Sequence, residues 1–198
     1  MSTPATKNDY AIDWSKYNNN MGLKDGRVNE LRIFFHVKPG HEEAMRKDVI
    51  EFSSLPGRRL LSTNQLVGAH TQVLTSFDNG TRFLFAVDFD TDWDPYIEDS
   101  LTIGGGGIPR YWMWWRHTEE FAAFSEDNLP TVKEAKFLMN VSREEALVHV
   151  NAFPHLTVAQ RAKQDELWKA FQQVIDTPEG AKALENPALA PLLNLAAD

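Results

Sequence analysis

Apolar and polar residues alternate along four stretches of the chain, which is the pattern of β-strands that bury one face. The alternation predicts strands at residues 31–38, 69–77, 82–89 and 146–153. Asp78-Asn79-Gly80 lies between the second and third of these stretches. Because Asn-Gly favours a tight turn, we expect these two strands to form a hairpin.

Apolar residues recur with helical spacing between and after these strands. Residues 41–53 are the first such segment, with Met45, Val49 and Phe52 on one stripe and Pro39-Gly40 in front. The other predicted helices are residues 94–101, 132–139, 157 to about 175, and a short one capped by Thr177. Residues 111–117 are aromatic on all sides, so their spacing does not choose between helix and strand.

In chain order these elements read β-α-β-β-α-β, followed by a helical extension. This is the ferredoxin-like order, an α+β fold with helices on one face of the sheet. The other face needs a cover, and a second copy packed face to face would make a dimeric α+β barrel. We expect residues 29–198 to be one domain and residues 1–28, polar with spaced aromatics, to be an arm or a tail.

Side-chain direction on the predicted strands selects the candidate site residues. His36, His70 and His149 are expected to point away from the helices, and His36 and His149 to approach each other on neighbouring strands. Histidine on such a face can serve as a general base, a metal ligand or a haem ligand. The candidate substrate-binding residues are Asn151, Arg82, Gln72, Phe34 and, from the aromatic segment, Trp112. The alternatives are histidines that face water and tryptophans that serve the core or an interface.

Composition removes several classes of function. A net charge of −8 without a basic cluster disfavours nucleic acid as a partner. No run reaches the roughly 18 apolar residues that a membrane-spanning helix needs. The absence of Cys excludes disulfides and thiolate chemistry, which favours a cytoplasmic protein. His41-Glu42-Glu43 is not a zincin motif, because no second His follows at the required spacing, so we name no metal-ligating residue.

The first predicted strand continues into Val37-Lys38-Pro39-Gly40-His41-Glu42-Glu43-Ala44 and a helix. With residues 89–99 and 151–158, this segment resembles an uncharacterised branch of the dimeric α+β-barrel (ferredoxin-like) superfamily, over roughly residues 30–162. The resemblance implies a homodimeric oxidoreductase, like a cofactor-free monooxygenase or a haem peroxidase, that acts on a small hydrophobic or aromatic molecule. Haem is the cofactor that this resemblance allows. The alternative is a non-catalytic ligand-binding or stress-related dimeric module.

Overall fold

Four antiparallel strands form the sheet in the computed structural model, which describes residues 22–54, 67–102 and 107–196. The strands are β1 (Lys24–Asp25), β2 (Val28–His36), β3 (Ala69–Phe77) and β4 (Arg82–Phe89). Their order across the sheet is β1-β2-β4-β3. The predicted hairpin is confirmed, with Asp78 and Asn79 at positive φ in its turn.

Seven α-helices lie within the described residues. They are α1 (Glu42–Ser54), α2 (Trp93–Thr102), α3 (Gly107–Trp115), α4 (Val132–Val141), α5 (Val158–Ile175), α6 (Pro178–Leu184) and α7 (Ala190–Ala196). The aromatic segment whose type the sequence left open is thus mostly helix α3. Within the described part of the chain, no helix is long and apolar enough to cross a membrane.

The chain divides into two compact units, residues 1–158 and 159–198. The first unit holds the sheet and is α+β, as predicted. The second unit is helical and contains most of α5 with α6 and α7. Thr177 caps α6 by accepting a hydrogen bond from the backbone N–H of Gly180. Residues 1–21 of the predicted N-terminal arm lie outside the described residues.

The prediction of a strand at residues 146–153 is wrong. The chain pairs with β2 just before this segment, through a bridge between Arg143 and Ile33, and residues 146–153 themselves form no ladder with the sheet. Further along the edge of β2, strand β1 occupies the hydrogen-bonding positions that a fourth long strand would need. Side chains hold the segment instead. The backbone N–H of Ala146 donates to Glu30, and Leu147 remains 97% exposed.

The helix-facing side of the sheet carries the core. Directly paired residues of β2 and β4, such as Phe35 and Phe83, are buried on this side, as the alternation predicted. Helix α3 places Trp114 against both rings, at centroid distances of 5.5 and 5.2 Å. Trp112 is buried in the same cluster. It therefore serves the core, which is the alternative to its predicted role in substrate binding.

Strand β3 has the opposite facing from the one predicted, because a β-bulge lies at His70. Ala69 pairs with Phe89, but Thr71 pairs with Asp88, so His70 is the extra residue. One inserted residue moves every later side chain to the other face. Gln72, expected on the open face, therefore lies opposite Val87 on the helix side.

Candidate functional site

A row of three side chains crosses one end of the open face. His36 on β2 pairs with Arg82 on β4, and Arg82 pairs with Phe77 on β3. Residues directly opposite each other in a sheet share a face, so all three project away from the helices. The sequence placed His36 and Arg82 on this face correctly. Phe77 reaches the same face because the bulge at His70 reverses the positions after it.

A cleft of about 350 Å³ lies at this end of the sheet. Its lining residues are His36, Val37, Pro39, Glu42, Thr81, Arg82 and Glu119. The hairpin turn packs against the start of α1, where a Cβ on Gly80 would lie only 3.1 Å from the Glu42 Cβ. Strand ends, turn and helix therefore meet around the cleft. The His36 side chain is 60% exposed, so a ligand in the cleft can reach its ring.

A carboxylate fixes the ring of His36. Glu120 Oε1 lies 2.9 Å from His36 Nδ1 and also accepts the backbone N–H of His36 at 3.0 Å. The segment that carries Glu120 is held beside β2 by two backbone bonds, from Glu119 N–H to the His36 carbonyl and from Lys38 N–H to the His117 carbonyl. Since a carboxylate accepts, Nδ1 of His36 carries the proton. Nε2 then presents its lone pair.

Two aromatic rings hold the guanidinium of Arg82. Its Cζ lies 5.2 Å from the centre of the Phe77 ring and 5.8 Å from that of Phe34, and the two rings meet edge to face. Phe34, a predicted substrate-binding residue, thus lies beside the cleft and positions Arg82. Among the described residues, no acceptor bonds to Arg82, and its Nε is covered without a hydrogen-bond partner.

A buried hydrogen-bond network lies between α1 and the residues that follow α3. Asp48 Oδ2 accepts from Arg116 at 2.5 Å and from His117 Nε2 at 2.9 Å. His117 Nδ1 lies 2.9 Å from Nδ1 of His41, the residue in front of α1. Because Nε2 of His117 donates to Asp48, Nδ1 of its neutral ring is an acceptor, and the N–H at Nδ1 of His41 donates to it. The network ties the start of α1 to the segment that carries Glu120.

The environment shifts the pKa values of this network. Burial raises the pKa of Asp48, but the hydrogen bonds from His117 and Arg116 lower it more, so it lies below its usual range. Burial lowers the pKa of His117, and this effect exceeds the opposing effect of Asp48. Asp48 is therefore an anion and His117 a neutral ring near neutral pH. Burial also lowers the pKa of Lys38, which donates to the Arg116 carbonyl.

Neither this network nor Glu120 is visible in the pattern of the sequence. The partners are far apart in the chain, with 69 positions between Asp48 and His117 and 84 between His36 and Glu120. One local signal was present. Asp48 lies among the apolar residues Met45 and Phe52 on the buried side of α1. A carboxylate in such a stripe requires partners, because burying an unpaired charge is costly.

His149 and His70 lie at the opposite end of the open face from His36. His149 Nδ1 lies 3.1 Å from the Leu23 carbonyl oxygen, and its Nε2 lies 3.6 Å from Asp88. Asp88 pairs with Glu30, six positions before His36 on β2, a separation of about 20 Å along the strand. The prediction that His36 and His149 approach each other is therefore wrong. His70 is almost fully covered and bonds to Asp90 at 2.6 Å.

Two further candidates, Asn151 and Gln72, lie outside the cleft. Asn151 Oδ1 accepts the backbone N–H of Phe153, while its own N–H donates to Asp25, so it forms a turn that anchors the segment to β1. Gln72 lies on the helix side of β3 and is away from the cleft. Of the predicted site residues, His36, Arg82 and Phe34 are the ones that gather at the cleft.

Comparison with known proteins adds no family to this geometry. No protein-family model matches the chain, and no curated protein matches its sequence. Within the described ranges, no group of three His, Asp or Glu residues is arranged to hold a metal ion. The cleft and its side chains are therefore the features that bear on function.

Proposed function

We propose that this protein is a small-molecule enzyme in which His36, oriented by Glu120, acts as a general base in the cleft. The observation that carries the proposal is the 2.9 Å contact between Glu120 and His36 Nδ1 at the wall of a 350 Å³ cleft. A carboxylate that orients an imidazole beside a cavity is an arrangement that general-base catalysis uses.

The proposed step is a proton transfer. His36 Nε2 takes a proton from a substrate atom in the cleft, and the positive charge that forms on the ring is stabilised by Glu120. Because Glu120 also accepts the backbone N–H of His36, the ring and its carboxylate are held together. The base therefore needs no reorientation before it reacts, which lowers the cost of reaching the transition state.

The reaction class that we propose is an oxidation of a hydrophobic or aromatic substrate in the cytoplasm, with dioxygen, the co-substrate of the cofactor-free monooxygenases that the chain resembles, as the electron acceptor. Its support is the resemblance to dimeric α+β-barrel oxidoreductases, together with the apolar residues Val37 and Pro39 in the cleft. Removal of a proton makes an aromatic substrate easier to oxidise, so a general base suits this class. The acid–base step is supported by the geometry, and the oxidoreductase class by the resemblance.

The residues present do not fit a haem. A proximal ligand needs an imidazole nitrogen that faces an apolar slot wide enough for the macrocycle. His70 Nε2 is bonded to Asp90, and His149 is covered with Asp88 and the Leu23 carbonyl beside its two nitrogens. His36 faces a small cleft with charged walls. No step of the proposal therefore involves this cofactor.

We also propose that a second copy covers the open face and completes the ferredoxin-like dimer. In support, the three long strands follow the ferredoxin-like pairing, and Val73, on the open face of β3, is 51% exposed. Light scattering after size exclusion should give twice the mass of the chain, and Val73→Asp should shift it toward the monomer. A wild-type protein that is monomeric at high concentration would refute the dimer.

Turnover of a panel of small aromatic compounds, followed by mass spectrometry, tests the proposed activity. For any compound that reacts, we expect His36→Gln to lower kcat by about 10²–10⁴-fold, which is the usual contribution of a general base. Glu120→Gln should lower kcat less, because the ring remains but loses its orientation. His155→Gln is the matched control, since His155 is exposed and lies outside the cleft.

Retention of wild-type kcat in His36→Gln would show that the mechanism is wrong. A panel without any reacting compound, combined with a hydrophobic ligand that co-purifies with the protein, would favour the binding module over the enzyme. The mass and absorbance spectrum of the native protein gives this second observation.

A further inference from the structure

We infer that Arg82 is a subsite for a single carboxylate, so that the substrate of the cleft is a small apolar or aromatic monocarboxylate. This inference rests on the proposed function, which makes the cleft the substrate site. It adds the chemical class of the substrate, which neither the histidine nor the volume of the cleft supplies.

The pairing of Arg82 differs from that of other arginines in the first unit. Arg32 bonds to Asp88, Arg110 to the Phe52 carbonyl and Arg116 to Asp48. Arg82 has no such acceptor among the described residues, although it lines a cavity. Cations that are partly withdrawn from water normally find a partner. In this cleft, a ligand is the partner that remains.

The surroundings of Arg82 fix the direction of its guanidinium. The rings of Phe34 and Phe77 hold the group by cation–π contact, at 5.8 and 5.2 Å from Cζ. Its Nε is covered, so the two terminal nitrogens are left for a ligand. This planar pair of donors matches the two oxygens of a carboxylate. Since the rings already restrict the side chain, little entropy is lost when the ligand binds.

The charges around the cleft favour a single negative charge on the ligand. Glu42 and Glu119 also line the cleft, and Glu120 lies behind His36. Glu42 accepts the Gly40 N–H, and Glu120 is bonded to His36, so neither neutralises Arg82. Three carboxylates around one free guanidinium repel a dianion more strongly than a monoanion. Inorganic phosphate should therefore bind more weakly than a monocarboxylate.

The size of the cleft limits the rest of the ligand. A volume of about 350 Å³ is at the lower end of small-molecule sites, which span roughly 300–1,000 Å³. Val37 and Pro39 give the wall an apolar part. Benzoate combines one carboxylate with one apolar ring and is therefore a suitable probe. Benzyl alcohol has a similar shape without the charge.

The experiment is a titration of the ¹⁵N-labelled full chain with benzoate, benzyl alcohol and inorganic phosphate, followed by NMR. Benzoate should shift the amide signals of Val37 and Thr81 with saturable binding. Arg82→Gln should weaken benzoate by about tenfold or more and leave benzyl alcohol unchanged. Arg46→Gln, an exposed arginine on α1, is the matched control and should bind as wild type. Arg82→Lys keeps the charge and most of the side chain, and should show an intermediate loss if Arg82→Gln fails to fold.

Benzoate that fails to bind wild type, or that binds Arg82→Gln or Arg82→Lys as tightly as wild type, overturns the inference. Phosphate that binds more tightly than benzoate does so as well. His36→Gln separates this result from the proposed function, because it should retain benzoate binding while it lowers kcat. A His36→Gln protein that keeps the wild-type kcat would remove the general base and leave the carboxylate subsite standing.

Discussion

Replacement of Asp48 by Asn removes the charge from an atom that joins α1 to the residues after α3. Oδ2 of Asp48 accepts from both Arg116 and His117. A hydrogen bond to a charged group contributes about 1.5–3 kcal/mol and a neutral one about 0.5–1.5 kcal/mol, so the bond from the neutral ring of His117 loses about 1–1.5 kcal/mol. The bond from Arg116 keeps its charged donor and loses only the attraction between the two charges. The Arg116 side chain is 39% exposed, so water weakens its attraction to the Asp48 carboxylate. We expect Asp48→Asn to cost about 2 kcal/mol, and Asp48→Ala about 3 kcal/mol or more, because buried His117 then loses its acceptor.

Urea unfolding near neutral pH, followed by tryptophan fluorescence, measures this loss. All variants carry Trp168→Phe, so that the signal comes from the unit that contains the sheet. Glu51→Gln is the matched control, because Glu51 is exposed on the same helix and loses the same charge. The control should change the free energy of unfolding by less than about 0.5 kcal/mol.

An Asp48→Asn protein that unfolds at the same urea concentration as Glu51→Gln would refute the reasoning. Such a result would mean that the cost of burying the carboxylate cancels the gain from its two bonds. Asp48→Ala would then separate the cases. A large loss with Ala but none with Asn would indicate that the network needs an acceptor and gains nothing from the charge.

Three further predictions follow from the structure. The pKa values of His117 and Asp48 both lie below their usual ranges in the folded protein, so as the pH falls the unfolded chain takes up each proton before the folded chain does. The free energy of unfolding, measured by urea titration, should therefore fall below about pH 6.5 and again below about pH 4. His117→Asn should remove the first fall. Leu74→Ala should lower the free energy of unfolding by about 1–2 kcal/mol, because Leu74 packs against the core. Val73→Ala should lower it by less than about 0.5 kcal/mol, because Val73 is exposed on the open face. A larger loss for Val73 than for Leu74 would contradict the bulge at His70. Haemin titration should give no Soret band of a ligated haem, and a saturable band would contradict the conclusion that the histidines do not fit a haem.

The elements that the sequence predicted well are those with local causes. The hairpin of β3 and β4 matches its predicted bounds, because alternation defines both strands and Asp78-Asn79-Gly80 defines the turn. Helix α1 follows from the stripe of Met45 and Phe52. Residues 146–153 alternate as well, yet they are not a strand, because β1 occupies part of the edge that they needed. Competition for an edge is a property of the whole sheet and leaves no local pattern.

The facing of a strand is harder to predict than the strand itself. β2 and β4 pair without interruption, so the alternation placed His36 and Arg82 on the correct face. In β3 a single extra residue, His70, reverses every position after it. The partner of His36 was beyond prediction for a different reason. Glu120 reaches it across 84 positions of sequence, through pairing of the segment after α3 with the end of β2.

The two ends of the open face differ in how far their polar groups are satisfied, and this difference locates the site. At one end, Asp88 accepts from Arg32 at 2.9 Å and from Thr71 at 2.6 Å, and His149 Nε2 lies 3.6 Å from it. The buried Oε2 of Glu30 at this end makes no hydrogen bond, but Arg32 lies 3.6 Å away and balances its charge. Charges that are balanced in this way hold the structure and have little capacity left for a ligand. At the other end, Arg82 and Nε2 of His36 have no partner among the described residues and line the same cleft. A free cation and a free imidazole lone pair on one wall are complementary to a ligand that has a carboxylate for Arg82 and, on another atom, a proton that His36 can take. The search for the substrate should therefore begin with small aromatic and aliphatic carboxylates.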